Sequence, residues 1–164
     1  MIARRLPLLF LFAIATPLVA GELSVQASDD ISELLAPWLP EEAGNPIRLQ
    51  GQLSEILATE GYFSPEFNFT ENDDSLTLNL DPGPRTTIAS VNVTVDGKIE
   101  PKTKSALIDG WRQPVGQPFR QEDWNTAQQQ ILADLLAVEH ADARLLDSEA
   151  TIDTETHSAK LNAH

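Results

Sequence analysis

Two periodicities take turns along this chain. In "ELSVQA" (Glu22 to Ala27) the apolar Leu23, Val25 and Ala27 alternate with polar neighbours, the period of a half-buried strand. Ser28 or Asp29 can then cap a helix on which Ile31, Leu34, Leu35 and Trp38 share one face, and Pro40 stops it. After the loop "EEAGNP", Leu49, Leu53, Ile56 and Leu57 form a second helical stripe. Gly61 stands where such a helix ends in a left-handed turn, the conformation that costs glycine least. Two strands follow, "FNFTE" (Phe67 to Glu71) with Phe67 and Phe69 on one face, and "LTLNL" (Leu76 to Leu80) with Leu76, Leu78 and Leu80 on one face. The turn "NDDS" between them predicts a hairpin.

The same order then starts again. In "DPGPR" (Asp81 to Arg85), Pro82 and Gly83 suit the central pair of a type II turn, and Pro84 forbids a helix from crossing. "IASVNVTV" restarts the alternation with Val91, Val93 and Val95 on one face, and "DG" (Asp96, Gly97) ends it. A helix is predicted from about Lys102 to Ile108, closed by Gly110, and a longer one with Trp124, Ala127, Ile131, Leu135 and Val138 as its buried stripe. Strands over about Arg144 to Ile152 and Ser158 to Ala163, around the turn "DTET", complete the second round. The two copies align at an offset of about 78 residues, which sets "EGYFSPEF" opposite "VEHADARL". The predicted fold class is α+β: two tandem β-α-α-β-β units, each a three-stranded mixed sheet with two helices on one face.

The N-terminus lies outside this pattern. Arg4 and Arg5 precede the acid-free apolar run "LPLLFLFAIATPLVA", with small residues at its end, so residues 1–21 read as a secretory signal peptide. The units then occupy 22–82 and 83–164. Once the leader is removed, 9 Lys plus Arg face 25 Asp plus Glu, a net charge of −16 that repels nucleic acid and anionic lipid. Cysteine is absent, so packing alone must hold an exported chain.

Catalytic and metal chemistry find no constellation. His140, His157 and His164 lack ligand spacing, and Asp73 and Asp74 sit in a hairpin turn that favours Asn and Asp for backbone reasons. No serine stands on a strained elbow beside a base. The reading is therefore of a protein that is not an enzyme and takes neither cofactor nor metal.

The segments "ILATEGYFSPEF", "LDPGPRTTIASVNVTVDG", "QPFRQEDW" and "ARLLDSEATIDTETHSAKL", in that order behind a signal peptide, resemble the POTRA domains of Omp85-superfamily outer-membrane proteins. Within that superfamily the chain is similar to the N-terminal POTRA domains of TamA-like assembly factors of Gram-negative bacteria. The resemblance implies a place on the periplasmic side of the outer membrane, a role in autotransporter translocation and outer-membrane assembly, and unfolded outer-membrane or autotransporter polypeptides as substrates. It also implies a periplasm-spanning TamB-like partner and a β-barrel following in the same protein. The break in alternation at "AKLNAH" fits a fragment of such a protein, and a free-standing soluble periplasmic scaffold of POTRA domains is the alternative.

In the POTRA arrangement the third strand is central and the second lies at an edge. Phe67, Asn68, Phe69, Thr70 and Glu71 are then the candidate binding edge, where unpaired N–H and C=O groups can take up an extended segment by β-augmentation. Its counterpart is about Arg144 to Ile152. Glu66, Glu71, Glu149 and Asp153 flank these edges and guard them against self-pairing. Gly61, Tyr62, Phe63 and Pro65 read as a structural joint, with Gly61 ending the helix, Tyr62 and Phe63 packing under the sheet and Pro65 launching the edge strand. Pro82, Gly83 and Pro84 form the stiff boundary between units.

Overall fold

Alternation decides the first sheet. Strands β1 (Glu22–Gln26), β2 (Glu66–Asn72) and β3 (Ser75–Asp81) lie in the order β1-β3-β2, with β1 parallel and β2 antiparallel to β3. This computed structural model describes residues 21–42, 44–72, 75–111, 114–137 and 142–164. The leader 1–20, Asp73, Asp74, Val138 and His140, on which several expectations fall, lie outside the described residues.

Leu78 sits opposite Val25 on one side and Phe69 on the other, and it is fully buried. Helices α1 (Asp29–Leu35) and α2 (Pro46–Thr59) cover that face, closing a core of Ile31, Leu35, Leu49, Leu53, Leu57, Leu78 and Leu80. Ser24, Asn68, Thr70 and Asn79 point the other way and are exposed, so one face of the sheet is polar. The start of α2 is set by Asn45, whose side chain accepts from the N–H groups of Ile47 and Arg48, followed by Pro46 at the first helical position.

Trp38 corrects the expected stripe of α1. The helix ends at Leu35 and Ala36–Trp38 winds as a 3-10 turn containing Pro37, so the angular spacing changes and Trp38 leaves the buried face, 63% exposed.

The second unit repeats the topology with different volumes. Strands β4 (Thr87–Val93), β5 (Ser148–Asp153) and β6 (Ser158–Ala163) have the order β4-β6-β5, β4 parallel and β5 antiparallel to β6. Helices α3 (Pro101–Asp109) and α4 (Gln121–Ala137) lie between β4 and β5 in the chain. The central strand buries Ala159, Leu161 and Ala163 where the first unit has Leu76, Leu78 and Leu80. The missing volume comes from aromatics: Phe119 is buried in this core, and Trp124 meets Trp111 edge-on at 5.6 Å.

Two expectations shift here. β5 begins at Ser148, not near Arg144, because Ser148 already pairs with Ala163, the last residue of β6. The N–H groups of Leu146 and Asp147 instead donate to the carbonyl of His164. The single offset also fails beyond the helices: β2 starts at Glu66 after α2 ends at Thr59, whereas β5 starts at Ser148 after α4 ends at Ala137. "EGYFSPEF" therefore has no residue-for-residue counterpart. Of the α4 stripe, Trp124, Ala127 and Ile131 are buried and Leu135 is half-buried.

Candidate strand-pairing edges and the joint between the units

The helix α2 ends as its sequence demands. Gly61 has φ +93°, the N–H of Gly61 donates to the Ala58 carbonyl and that of Tyr62 to the Leu57 carbonyl, a Schellman closure. The same glycine has a second duty that its sequence context does not disclose. A Cβ at Gly61 would lie 2.4 Å from the carbonyl oxygen of Phe119, in the second unit.

Around that contact the backbone forms a ladder across the joint. Thr86 N–H donates to the Gly61 carbonyl at 2.8 Å, and Phe119 N–H donates to the Thr86 carbonyl at 2.8 Å. Beside it, the Glu60 carboxylate takes both ends of the Arg120 guanidinium, at 2.9 Å from Nε and 3.0 Å from Nη2. Arg85 completes the cluster: its Nε donates to the Glu60 carbonyl at 2.8 Å, its Nη2 lies 3.3 Å from the Glu60 carboxylate, and its guanidinium stacks over Tyr62 at 5.6 Å. The hydrogen bond from Arg120 to Glu60, reinforced by the charge, raises the pKa of Arg120 further above its ordinary high value. These groups are partly open to solvent, so the pairs act chiefly by fixing geometry.

Tyr62 and Phe63 part company at this joint. Tyr62 packs against the first core, whereas Phe63 packs against the second, its ring 5.9 Å from Phe119. Pro65 immediately precedes β2. Gly83 has the positive φ, +70°, that the second central position of a type II turn requires; its N–H donates to the Asp81 side chain, because Pro84 has no N–H to close the turn. A Cβ at Gly83 would meet the Ser64 carbonyl at 2.8 Å, so the "PGP" boundary is packed against the joint and not merely stiff. Glu60, Arg85, Thr86, Phe119 and Arg120 were not singled out by sequence, since nothing in a linear pattern marks an ion pair whose members are 60 positions apart.

The Thr86 hydroxyl is buried with no hydrogen-bond partner among the described residues. Thr86→Val is therefore expected to leave the melting temperature unchanged or raise it, by at most about 1 kcal/mol of stability. A clear loss in thermal melts would show that the hydroxyl is satisfied in solution.

The four sheet edges differ in how they are covered. At β1, Glu22 forms an isolated antiparallel bridge with Glu42. At β4, Gly116 to Phe119 run alongside: Ile88 N–H donates to the Gln117 carbonyl at 2.8 Å, Gly116 N–H donates to the Ile88 carbonyl at 2.7 Å, and Thr87 bridges Pro118. At β2 and β5, among the described residues, no backbone hydrogen bond reaches the outer side. Glu66, Glu71 and Glu149 are exposed beside these open edges. Asp153 has another role: its carboxylate accepts from the N–H groups of Glu155 and Thr156 and shapes the β5–β6 turn.

Those bonds, chiefly the one from the Thr156 backbone, lower the Asp153 pKa. Because the folded value is depressed, the support for the turn is complete above the unfolded value and is lost as pH falls through the folded one. An NMR titration should place the Asp153 midpoint below the usual aspartate range; a midpoint within it would contradict the turn geometry.

No family model and no curated protein matches the sequence. Among solved structures, POTRA domains 1–2 of the periplasmic domain of Omp85 from Anabaena superpose with a TM-score of 0.51 at 11% identity, over 88% of this chain and 93% of that one. The fold is that of two tandem POTRA domains. A three-domain POTRA structure of the same Anabaena protein gives 0.51 at 11% identity, and the present chain spans 59% of it. POTRA domains 3–5 of BamA from Haemophilus influenzae give 0.48 at 14% identity over 88% of this chain and 64% of theirs. In both units here the last strand is central and the second is at an edge, the order expected from the resemblance.

Besides the edges, the second unit has an apolar groove of about 460 Å³ lined by Val95, Ile131, Leu135 and Leu145. Among the described residues no cluster of His, Cys, Asp and Glu is arranged to hold a metal.

Proposed function

We propose that this chain is the periplasmic POTRA arm of a TamA-like outer-membrane assembly or autotransporter translocation factor, and that it takes up extended segments on the β2 edge at Phe67 to Glu71. One observation carries the reading: β2 is locked to β3 along seven consecutive register pairs, from Glu66↔Asp81 to Asn72↔Ser75, while its outer side has no backbone partner among the described residues. A strand held so firmly on one side is a rigid template on the other, and backbone pairing gives affinity without demanding sequence. That suits substrates that share only extended conformation, such as unfolded outer-membrane or autotransporter polypeptides. In this reading residues 1–21 are the export signal, 22–82 and 83–164 are the two domains, a β-barrel follows in the same protein, and a TamB-like protein spanning the periplasm is a second partner. The Anabaena structure, itself a piece of the periplasmic domain of an Omp85 protein, supports the placement through its fold.

The test uses photo-crosslinking side chains at Asn68 and Thr70, which are exposed, with exposed Ser24 on the opposite edge strand as control. An unfolded outer-membrane barrel precursor should crosslink from positions 68 and 70 and not from 24. Equal yields from all three would defeat the assignment of the edge.

A further inference from the structure

The edge of β4 is filled by the chain itself, and the filling is thin. Of the strap formed by Gly116 to Phe119, Gly116, Gln117 and Pro118 are exposed, and Pro118 cannot donate to a ladder. Among the described residues two backbone bonds hold the strap to β4, Ile88 to Gln117 and Gly116 to Ile88, and a third, Phe119 to Thr86, holds it to the residue just before that strand. Its C-terminal end is firm at Phe119, buried in the second core, followed by Arg120 in its two-pronged pair with Glu60 of the first domain. The ladder that carries the strap also carries the joint, since Thr86 accepts from Phe119 on one side and donates to Gly61 on the other. Anything that shears the joint must strain the strap.

We infer that the strap is a displaceable guard over a second strand-pairing edge, and that the Glu60–Arg120 pair couples the angle between the domains to the opening of that edge. With the pair intact, the N–H and C=O of Ile88 are occupied; with the joint loosened, the strap lifts and the same two groups become available to an extended segment of another polypeptide. That the edge accepts backbone partners is evident, because Ile88 gives its N–H to Gln117 and takes that of Gly116, and Thr87 bridges Pro118. The occupant is defined by the groups it meets: a short stretch whose backbone accepts from the Ile88 N–H and donates to the Ile88 carbonyl, with an aromatic residue near its end as the guard has Phe119. This device is independent of strand capture at β2, and either can fail without the other.

The experiment compares the intact chain with Glu60→Gln and Gly116→Ala. Glu60→Gln keeps the shape of the side chain and removes its charge. Gly116→Ala disturbs the strap alone, because φ is +87° there and a Cβ would meet no atom within 4 Å. In hydrogen exchange, Glu60→Gln should speed the amides of Ile88, Gly116 and Phe119 about tenfold, leaving Leu78 and Leu161 unchanged. A labelled peptide copying residues 114–121, PVGQPFRQ, should bind both variants more tightly than the unaltered chain. Unchanged exchange at Ile88 and Gly116, a uniform acceleration that includes Leu78 and Leu161, or equal peptide binding by all three proteins would each overturn the inference.

Discussion

Gly61→Val is expected to cost about 3 to 4 kcal/mol, more than the loss of a left-handed glycine explains by itself. A β-branched residue at φ +93° accounts for part of that through backbone strain. The rest comes from the Phe119 carbonyl, 2.4 Å from where the Cβ must go. That carbonyl belongs to backbone held in place by the Phe119–Thr86 and Thr86–Gly61 hydrogen bonds, so it cannot yield as a flexible side chain would. Either the domains separate at the joint or α2 unwinds its last turn. Gly61→Ala has the same Cβ and should lose nearly as much. Thermal melts of both variants decide the matter: a loss below about 1 kcal/mol would mean that the joint is loose in solution.

Phe119→Ala should rank with it, at about 3 to 5 kcal/mol. Phe119 is 1% exposed, supplies volume that Ala159 and Ala163 leave empty, and contacts Phe63 from the first domain. The damage should be lopsided. Exchange protection should fall first in β4, β5 and β6, whereas the Leu53, Leu57 and Leu78 core, which does not include Phe119, should hold longer. Equal loss in both sheets would show that the two domains unfold as one unit.

How much of this was legible in the sequence depended on range. The strands announced themselves because Leu76, Leu78 and Leu80 alternate with polar residues, and period-two burial is a local property. α2 was legible from Leu49, Leu53 and Leu57 together with Gly61 for the same reason. Trp38 misled because a 3-10 turn at Pro37 alters the spacing on which the stripe argument relies. β5 was placed too early because the length of a strand is set by its partner, and β6 runs out at Ala163. The order of strands came from the resemblance and not from periodicity, which is silent on which strand is central.

The joint is the instructive failure. The sequence marks Gly61 as a helix ending with Tyr62 and Phe63 packing under the sheet, and the helix does close there with Schellman bonds. What the letters could not show is that Phe63 crosses to the other core and that Glu60 faces Arg120. Both are facts about two domains meeting, and they depend on the conformation of "DPGPR", where Gly83 is pressed against Ser64. Phe67 to Glu71 lie within β2 and pair to β3 on one side only among the described residues.

Strand capture at β2 is the centre of the functional account, and amide NMR tests it most directly. An unfolded outer-membrane barrel segment is titrated into the isotope-labelled chain, followed at Phe67 to Glu71, at Ser148 to Asp153 and around the groove of Val95, Ile131, Leu135 and Leu145. The account predicts shifts and added exchange protection at Phe67, Asn68, Phe69, Thr70 and Glu71. Perturbation confined to the groove, with the β2 amides unmoved, would contradict it.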